Sequence, residues 1–118
     1  MNTITRESLN RGNIDFSEIT TGERIGNIHP GEILRDDFLK PMGISQYRLA
    51  KDSGISQMTA SKIVRGKQAI TAETALRLGR YFGLSPEFWA GLQTAYDLEA
   101  AELALADKLA HEVHPLAA

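Results

Sequence analysis

The chain has 118 residues, a net charge of −2, 42% hydrophobic and 7% aromatic residues, and no cysteine. That length suits one domain with a modest core, and the lack of cysteine excludes a disulfide framework and any thiolate metal site. No stretch approaches the ~20 apolar residues of a membrane span, and the opening Met1–Arg6 lacks the long apolar run of a signal peptide, so a cytoplasmic location is expected.

Ample aliphatic residues and few aromatics favour a small helical protein over a β-sandwich. Residues 1–27 are polar, without a clear period, and broken by Gly12, Thr20, Thr21, Gly22 and Gly26. A flexible N-terminal arm is expected there, with at most a short strand or helix around Ile14–Ile19. Regular structure begins at His29-Pro30-Gly31, because Pro30 suits a first helical turn, where its missing N–H costs nothing. His29 is expected to order that helix start. Ile33, Leu34, Phe38 and Leu39 form an apolar stripe at helical spacing. Lys40-Pro41 is expected to end this helix.

The next stretch, GISQYRLAKDSGISQ (Gly43–Gln57), opens and closes with the same four residues, and a looser copy, Gly-Leu-Ser-Pro, stands at Gly83–Pro86. Each copy reads as a helix stop followed by a helix start. The glycine ends one helix in the left-handed conformation, and the serine caps the next by accepting from its free N–H groups. The apolar residue between them is placed for a hydrophobic staple, Ile44 to Leu49 and Leu84 to Trp89. With Gly66 as a further stop and Thr71 as a further cap, the spacing predicts helices over 30–39, 46–53, 57–65, 72–82 and 86–111.

The second and third of these are short and joined by Ser53-Gly54-Ile55-Ser56, the helix-turn-helix arrangement. Ala50 is small enough for close packing. Leu49, Ile55, Ala60 and Ile63 are apolar where the pair must meet. Left over on the third helix are Gln57, Met58, Ser61, Lys62 and Arg65, one continuous face of groups able to read base edges. Charge is divided accordingly. Ser45–Lys67 holds five basic residues and one acid, whereas Ala69–Ala118 holds three basic residues and seven acids. A basic middle and an acidic tail indicate two different partners.

Residues 43–89 resemble the Cro/repressor-type (XRE) helix-turn-helix family, with Gln46, Ala50, Gly54, Ile63 and Arg65-Gly66-Lys67 at its usual positions. Ile28-His29-Pro30-Gly31-Glu32-Ile33-Leu34, Asp37-Phe38-Leu39 and Leu84-Ser85-Pro86-Glu87-Phe88-Trp89 narrow the likeness to HigA-type (VapI-type) antitoxins, over about residues 28–100. Two departures are Ala60, where a larger aliphatic residue is common, and Val64, where glutamate is frequent before Arg-Gly-Lys.

The resemblance implies an all-α, five-helix Cro/repressor-like domain with a long C-terminal helix. With the polar first 27 residues, the chain is expected to divide into an arm (1–27), a helix-turn-helix DNA-binding domain (28–84) and a C-terminal helix serving a dimer or a partner (85–118). The resemblance further implies an antitoxin that represses its own operon as a homodimer on palindromic operator DNA, through the major groove, and that neutralises a HigB-type toxin that cuts messenger RNA at the ribosome. The expected DNA-binding residues are Gln46, Ser56, Gln57, Met58, Thr59, Ser61, Lys62, Arg65 and Lys67. Gln57 would meet adenine, Lys62 guanine and Met58 a thymine methyl; Gln46, Arg65 and Lys67 would meet phosphates. Thr59 and Met58 have a competing use as packed residues. In the last helix, Phe88, Trp89, Leu92 and Tyr96 form one stripe, of which Phe88 to Leu92 is assigned to the core, and Leu98, Ala101, Leu105 and Leu109 continue it with a shared or partner-facing role.

No catalytic constellation or phosphate loop is present, so no enzyme activity, cofactor or resident metal is expected. His111-Glu112-Val113-His114 places two histidines on one helix face but supplies no third ligand, and histidines at a helix end complement its dipole. Asp36 and Asp37 point apart on a helix and make a poor catalytic pair. Two alternatives stand beside the antitoxin: a stand-alone XRE-type regulator without a toxin, and a protein-binding module that has lost DNA affinity.

Overall fold

The computed structural model describes residues 26–117. Most of the expected arm, with its short element around Ile14–Ile19, lies outside the described residues. The described residues are all-helical, with five helices. α1 runs from Pro30 to Met42 as three consecutive stretches: an α-helical turn Pro30–Ile33, a π-helical stretch Leu34–Leu39 and a closing turn Lys40–Met42. Then follow α2 (Gln46–Ser53), α3 (Gln57–Val64), α4 (Ala72–Phe82) and α5 (Pro86–Glu112).

The expectation that Lys40-Pro41 ends the first helix is overturned. Helical structure continues through Pro41 to Met42. In an α-helix the proline ring would strike the carbonyl four residues back. Here the preceding turns are widened to the π form, and the Lys40 N–H bonds the Arg35 carbonyl five residues back. The helix stops at Gly43, where φ is +66°.

All three copies of the Gly–apolar–Ser signal act as read. Gly43, Gly54 and Gly83 take φ of +66°, +79° and +75°. Ser45 Oγ accepts from the Arg48 N–H at 3.0 Å, Ser56 Oγ from Thr59 at 3.0 Å and Ser85 Oγ from Phe88 at 3.3 Å. Thr71 caps α4 through Thr74, at 3.2 Å. The third helix closes one residue sooner than expected, with Arg65 as its C-cap. The Gly66 N–H turns back to the Ile63 carbonyl at 2.9 Å and the Lys67 N–H to that of Lys62 at 2.7 Å.

One core joins every helix. Ile33, Leu34, Phe38, Leu39, Leu49, Ile63, Leu78 and Trp89 are all buried in it. Phe38, on α1, packs its ring 4.9 Å from Trp89 and 5.1 Å from Phe82, so α1, α4 and α5 meet at one aromatic cluster. Trp89 is fully buried, and its indole N–H is the one buried side-chain polar atom without a partner among the described residues. Ala60 and Val64, the two departures from the family pattern, are also buried, so both serve as packing beneath α3.

α5 has two unlike halves. Trp89 and Gln93 are buried, but every residue from Asp97 to Ala117 is exposed. The helix is about 40 Å long at 1.5 Å per residue, so its distal half stands clear of the core. Local preference explains why it stays helical there: Ala100–Ala106 reads Ala-Ala-Glu-Leu-Ala-Leu-Ala, all strong helix formers. Leu98, Leu105 and Leu109 are left 64%, 40% and 45% exposed, an apolar stripe unusual for a solvated helix.

Candidate nucleic-acid interface

The α2–turn–α3 unit is fixed from both sides. Within the turn, Ser53 Oγ donates to the Leu49 carbonyl at 2.6 Å and accepts from the Ile55 N–H at 3.2 Å. From α4, Arg77 Nη1 donates to the Ser53 carbonyl at 3.1 Å while its guanidinium pairs with Glu73 at 3.0 Å. Tyr81 donates to Asp52 at 3.3 Å, and Arg48 bonds the same carboxylate at 3.4 Å. Thus α4 holds the C-terminal end of α2, and the turn that aims α3 is not left to local preference.

On α3 the apolar residues Ala60, Ile63 and Val64 face inward. Gln57 and Met58 are exposed, Met58 at 68%, so Met58 is not a packed residue. Ser61 and Lys62 are half-buried. Arg65 folds back, its Nε 3.3 Å from the Ser61 carbonyl and 3.2 Å from Ser61 Oγ. That contact neutralises the negative end of α3 and leaves the rest of the guanidinium outside. Lys67 and Gln46 are exposed, each just beyond or at the end of a helix. Ser56 Oγ accepts from the Thr59 N–H. Thr59 is half-buried and turned into a shallow recess with Ser56, Gln68, Thr71, Thr74 and Arg77. The structure therefore gathers Gln57, Met58, Ser61, Lys62 and Arg65 on one open face and sets Thr59 off to its side.

Two further groups fix α3 in place, and the sequence reading passed over how. Gly31, at the start of α1, abuts the C-terminal end of α3: a Cβ there would overlap the Ile63 carbonyl oxygen and stand 2.8 Å from its carbon. Gln93, on α5, is buried and accepts from the Ile70 N–H at 2.8 Å. The signal for Gln93 was present, as a polar residue within the Trp89–Leu92–Tyr96 stripe. Gly31 carried none, since its partner is 32 positions away.

His29 closes the same corner. It caps α1, its Nδ1 accepting from the Gly31 N–H at 2.9 Å, and its ring meets Tyr96 edge-on at 4.9 Å. Asn27 adds a bond to the Tyr96 carbonyl at 2.9 Å. Burial pushes the imidazole below its ordinary value of 6.5, against the pull of the Glu32 and Asp97 carboxylates. The folded state therefore favours neutral His29. Its contribution to stability is complete above pH 6.5 and is lost as pH falls below that value toward the depressed folded-state pKa. His29→Asn keeps a capping acceptor that does not titrate in this range. Urea unfolding should show wild-type stability dropping from pH 7 to 5 more steeply than the variant's; parallel profiles would exclude His29 as the cause. Asp36, held below the usual carboxylate range by its bonds to Arg35, acts only at lower pH.

Among the described residues no cluster of three or more metal-ligating side chains occurs, and no helix is long and apolar enough to cross a membrane. His111 Nδ1 lies 2.8 Å from the Asp107 carbonyl, in the last turns of α5.

Comparison with known proteins agrees with this geometry. The helix-turn-helix family pattern matches residues 37–89. Virulence-associated protein I of Dichelobacter nodosus is 56% identical over 75 residues, 64% of this chain and 69% of that protein. Antitoxin HigA-1 of Vibrio cholerae is 41% identical over 68 residues, 58% of this chain and 64% of that protein, just under two thirds of its length. Among solved structures, the Pseudomonas aeruginosa antitoxin HigA with the higBA promoter superposes with a TM-score of 0.75 at 46% identity, covering 78% of this chain and all of that one. An inward-sealed α3 with an open polar face, a turn held by α4 and these likenesses all point one way: the chain belongs to the helix-turn-helix family, in the branch that contains the HigA-type antitoxins.

Proposed function

We propose that this protein is the antitoxin of a bacterial toxin–antitoxin module, a cytoplasmic homodimer that binds its own operator DNA and neutralises a HigB-type toxin. The observation that carries the DNA-binding part is the α3 face, where Gln57 and Met58 are exposed beside the half-buried Lys62 on a helix whose other side is sealed into the core. Likeness to an antitoxin solved with its promoter supports it.

In this reading α3 enters the major groove. Gln57 bonds the edge of an adenine, Lys62 the acceptors of a guanine, and Met58 touches a thymine methyl. Ser61 lines the same face. Gln46, at the positive end of α2, meets a phosphate, and Arg65 and Lys67 meet phosphates at the far end of α3. Ser56 caps α3 and keeps its O–H for a phosphate, whereas Thr59, facing the recess, supports the entry of α3 more than it reads bases. One such module covers too little DNA for tight specific binding, so two copies read half-sites about 34 Å apart. The exposed distal half of α5 is the surface offered to a second copy or to the toxin. Its Glu99, Glu102, Asp107 and Glu112 would suit a basic partner.

The test is binding of the pure protein to the DNA upstream of its own gene, over a salt series, beside scrambled DNA. Preference for the upstream DNA is expected, with log affinity falling by about 0.9 per phosphate contact for each log unit of salt. Equal, negligible binding to both DNAs would refute the proposal. Copurification with the product of a neighbouring small gene is the corresponding test for the toxin.

A further inference from the structure

Gln93 is 7% exposed, a neutral amide placed among the apolar residues of α5. Both of its ends are used. Its Oε1 accepts from the Ile70 N–H at 2.8 Å, and its Nε2 donates to Asp97 Oδ1 at 2.9 Å. The first bond spans 23 positions and crosses from α5 to the segment between α3 and α4. The second fixes which way the amide faces, because Asp97 accepts only from the nitrogen end.

The segment it reaches, 65–71, holds Arg65 and Lys67, and ends at Thr71, the cap of α4. Its first part is tied to α3 by the Gly66 and Lys67 N–H groups. Its last part is held by the Gln93 side chain at the Ile70 N–H and by α4 at Thr71, whose carbonyl accepts the Ala75 N–H at 2.8 Å. Lys67 therefore sits on a short bridge whose near end is set by α3 and whose far end is set by α5, through Gln93, together with the start of α4. A merely structural glutamine would satisfy the buried Ile70 N–H and do nothing else. A positioning glutamine would also decide where the bridge, and with it the Lys67 ammonium, stands relative to the α3 face.

We infer that Gln93, oriented by Asp97, is a positioning residue for DNA binding: it sets the 65–71 bridge so that Lys67 meets the phosphate backbone in register with α3. This deepens the proposed function and rests on it. The interaction concerned is a phosphate contact, so it governs affinity for all sequences alike and leaves base preference unchanged.

The experiment measures operator and scrambled-DNA affinity over a salt series for wild type, Gln93→Met, Lys67→Ala and the double variant. Lys67→Ala is expected to make the salt slope shallower by about 0.9 per protomer, hence by nearly two for a homodimer. Gln93→Met is expected to lower operator affinity roughly 3–10-fold, with the same loss of slope and unchanged operator preference. Lys67→Ala should then cost little more in the Gln93→Met background, since the contact is already misplaced. A full slope in Gln93→Met, or an undiminished cost of Lys67→Ala on top of it, overturns the inference.

Should Gln93→Met fail to fold, Asp97→Ala and Asp97→Asn replace it. Both remove the same charge, but only asparagine keeps an acceptor for the Gln93 amide. Weaker DNA binding by Asp97→Ala than by Asp97→Asn supports the inference, and equal binding overturns it. A wild-type chain without operator preference refutes the proposed function and the inference together. An operator-binding wild type with an unaltered Gln93 variant refutes the inference alone.

Discussion

Gly31→Ala is expected to destabilise the domain by about 3 kcal/mol, at the upper end of what overpacking a well-filled site costs. Local preference predicts the opposite sign. Gly31 lies in a helix, where alanine is favoured over glycine by roughly 1 kcal/mol. Packing decides the outcome, because the new methyl would overlap the Ile63 carbonyl oxygen and come within 3.1 Å of His29 Nδ1. Neither neighbour yields easily. The Ile63 carbonyl is backbone and accepts the Gly66 N–H that closes α3. His29 Nδ1 holds the cap of α1. Urea denaturation of the variant should show a lower midpoint with an unchanged slope. A midpoint equal to or above wild type would mean that α1 and α3 do not approach as closely as the structure shows. The displaced end of α3 also carries Arg65, so DNA affinity should fall with stability.

The second large effect is on recognition. Gln57→Ala and Lys62→Ala should each cost about 1–3 kcal/mol per half-site, hence roughly 2–6 kcal/mol for a dimer reading two. Neither change removes a bond that holds the fold, so stability should barely move. Each should also relax one operator position, visible when operators with single base changes are compared. An unchanged operator preference in both variants would refute the assignment of base contacts to α3. Arg65→Ala forms the contrast, weakening every sequence alike and reducing the salt slope.

The parts of this fold legible in the sequence are those governed by neighbours along the chain. A cap needs only Ser45 and the N–H three residues on, so GISQ announced α2 and α3 to within a residue. Likewise the inward residues of α3 follow from helical period alone. Pro41 was misread because the rule that ended the helix there assumes α geometry. The relief comes from a π stretch over Leu34–Leu39, which no local residue preference announces. Gly31 and Gln93 escaped for a different reason: their partners, Ile63 and Ile70, lie far along the chain. Arg77 escaped in the same way, reading as an ordinary surface cation until the fold set it against the Ser53 carbonyl. The outward residues of α3 were legible as a face with Thr59 outside it, but the recess that Thr59 lines was not, because a helix wheel does not show where α4 will stand.

The overhang of α5 has a consequence for how its helix begins and ends. A free helix must first form a costly nucleus, whereas each later residue adds at little cost. In α5 the nucleus comes from the core, through Trp89 and Gln93, so the distal turns only extend a helix already started. Within one copy they gain little from packing, since every residue from Asp97 to Ala117 is exposed. Until a second copy or a partner covers it, the tip is therefore governed by elongation and fraying, losing turns from the C-terminal end one after another as temperature rises. The globular part melts as a unit, but the length of the arm it presents varies continuously.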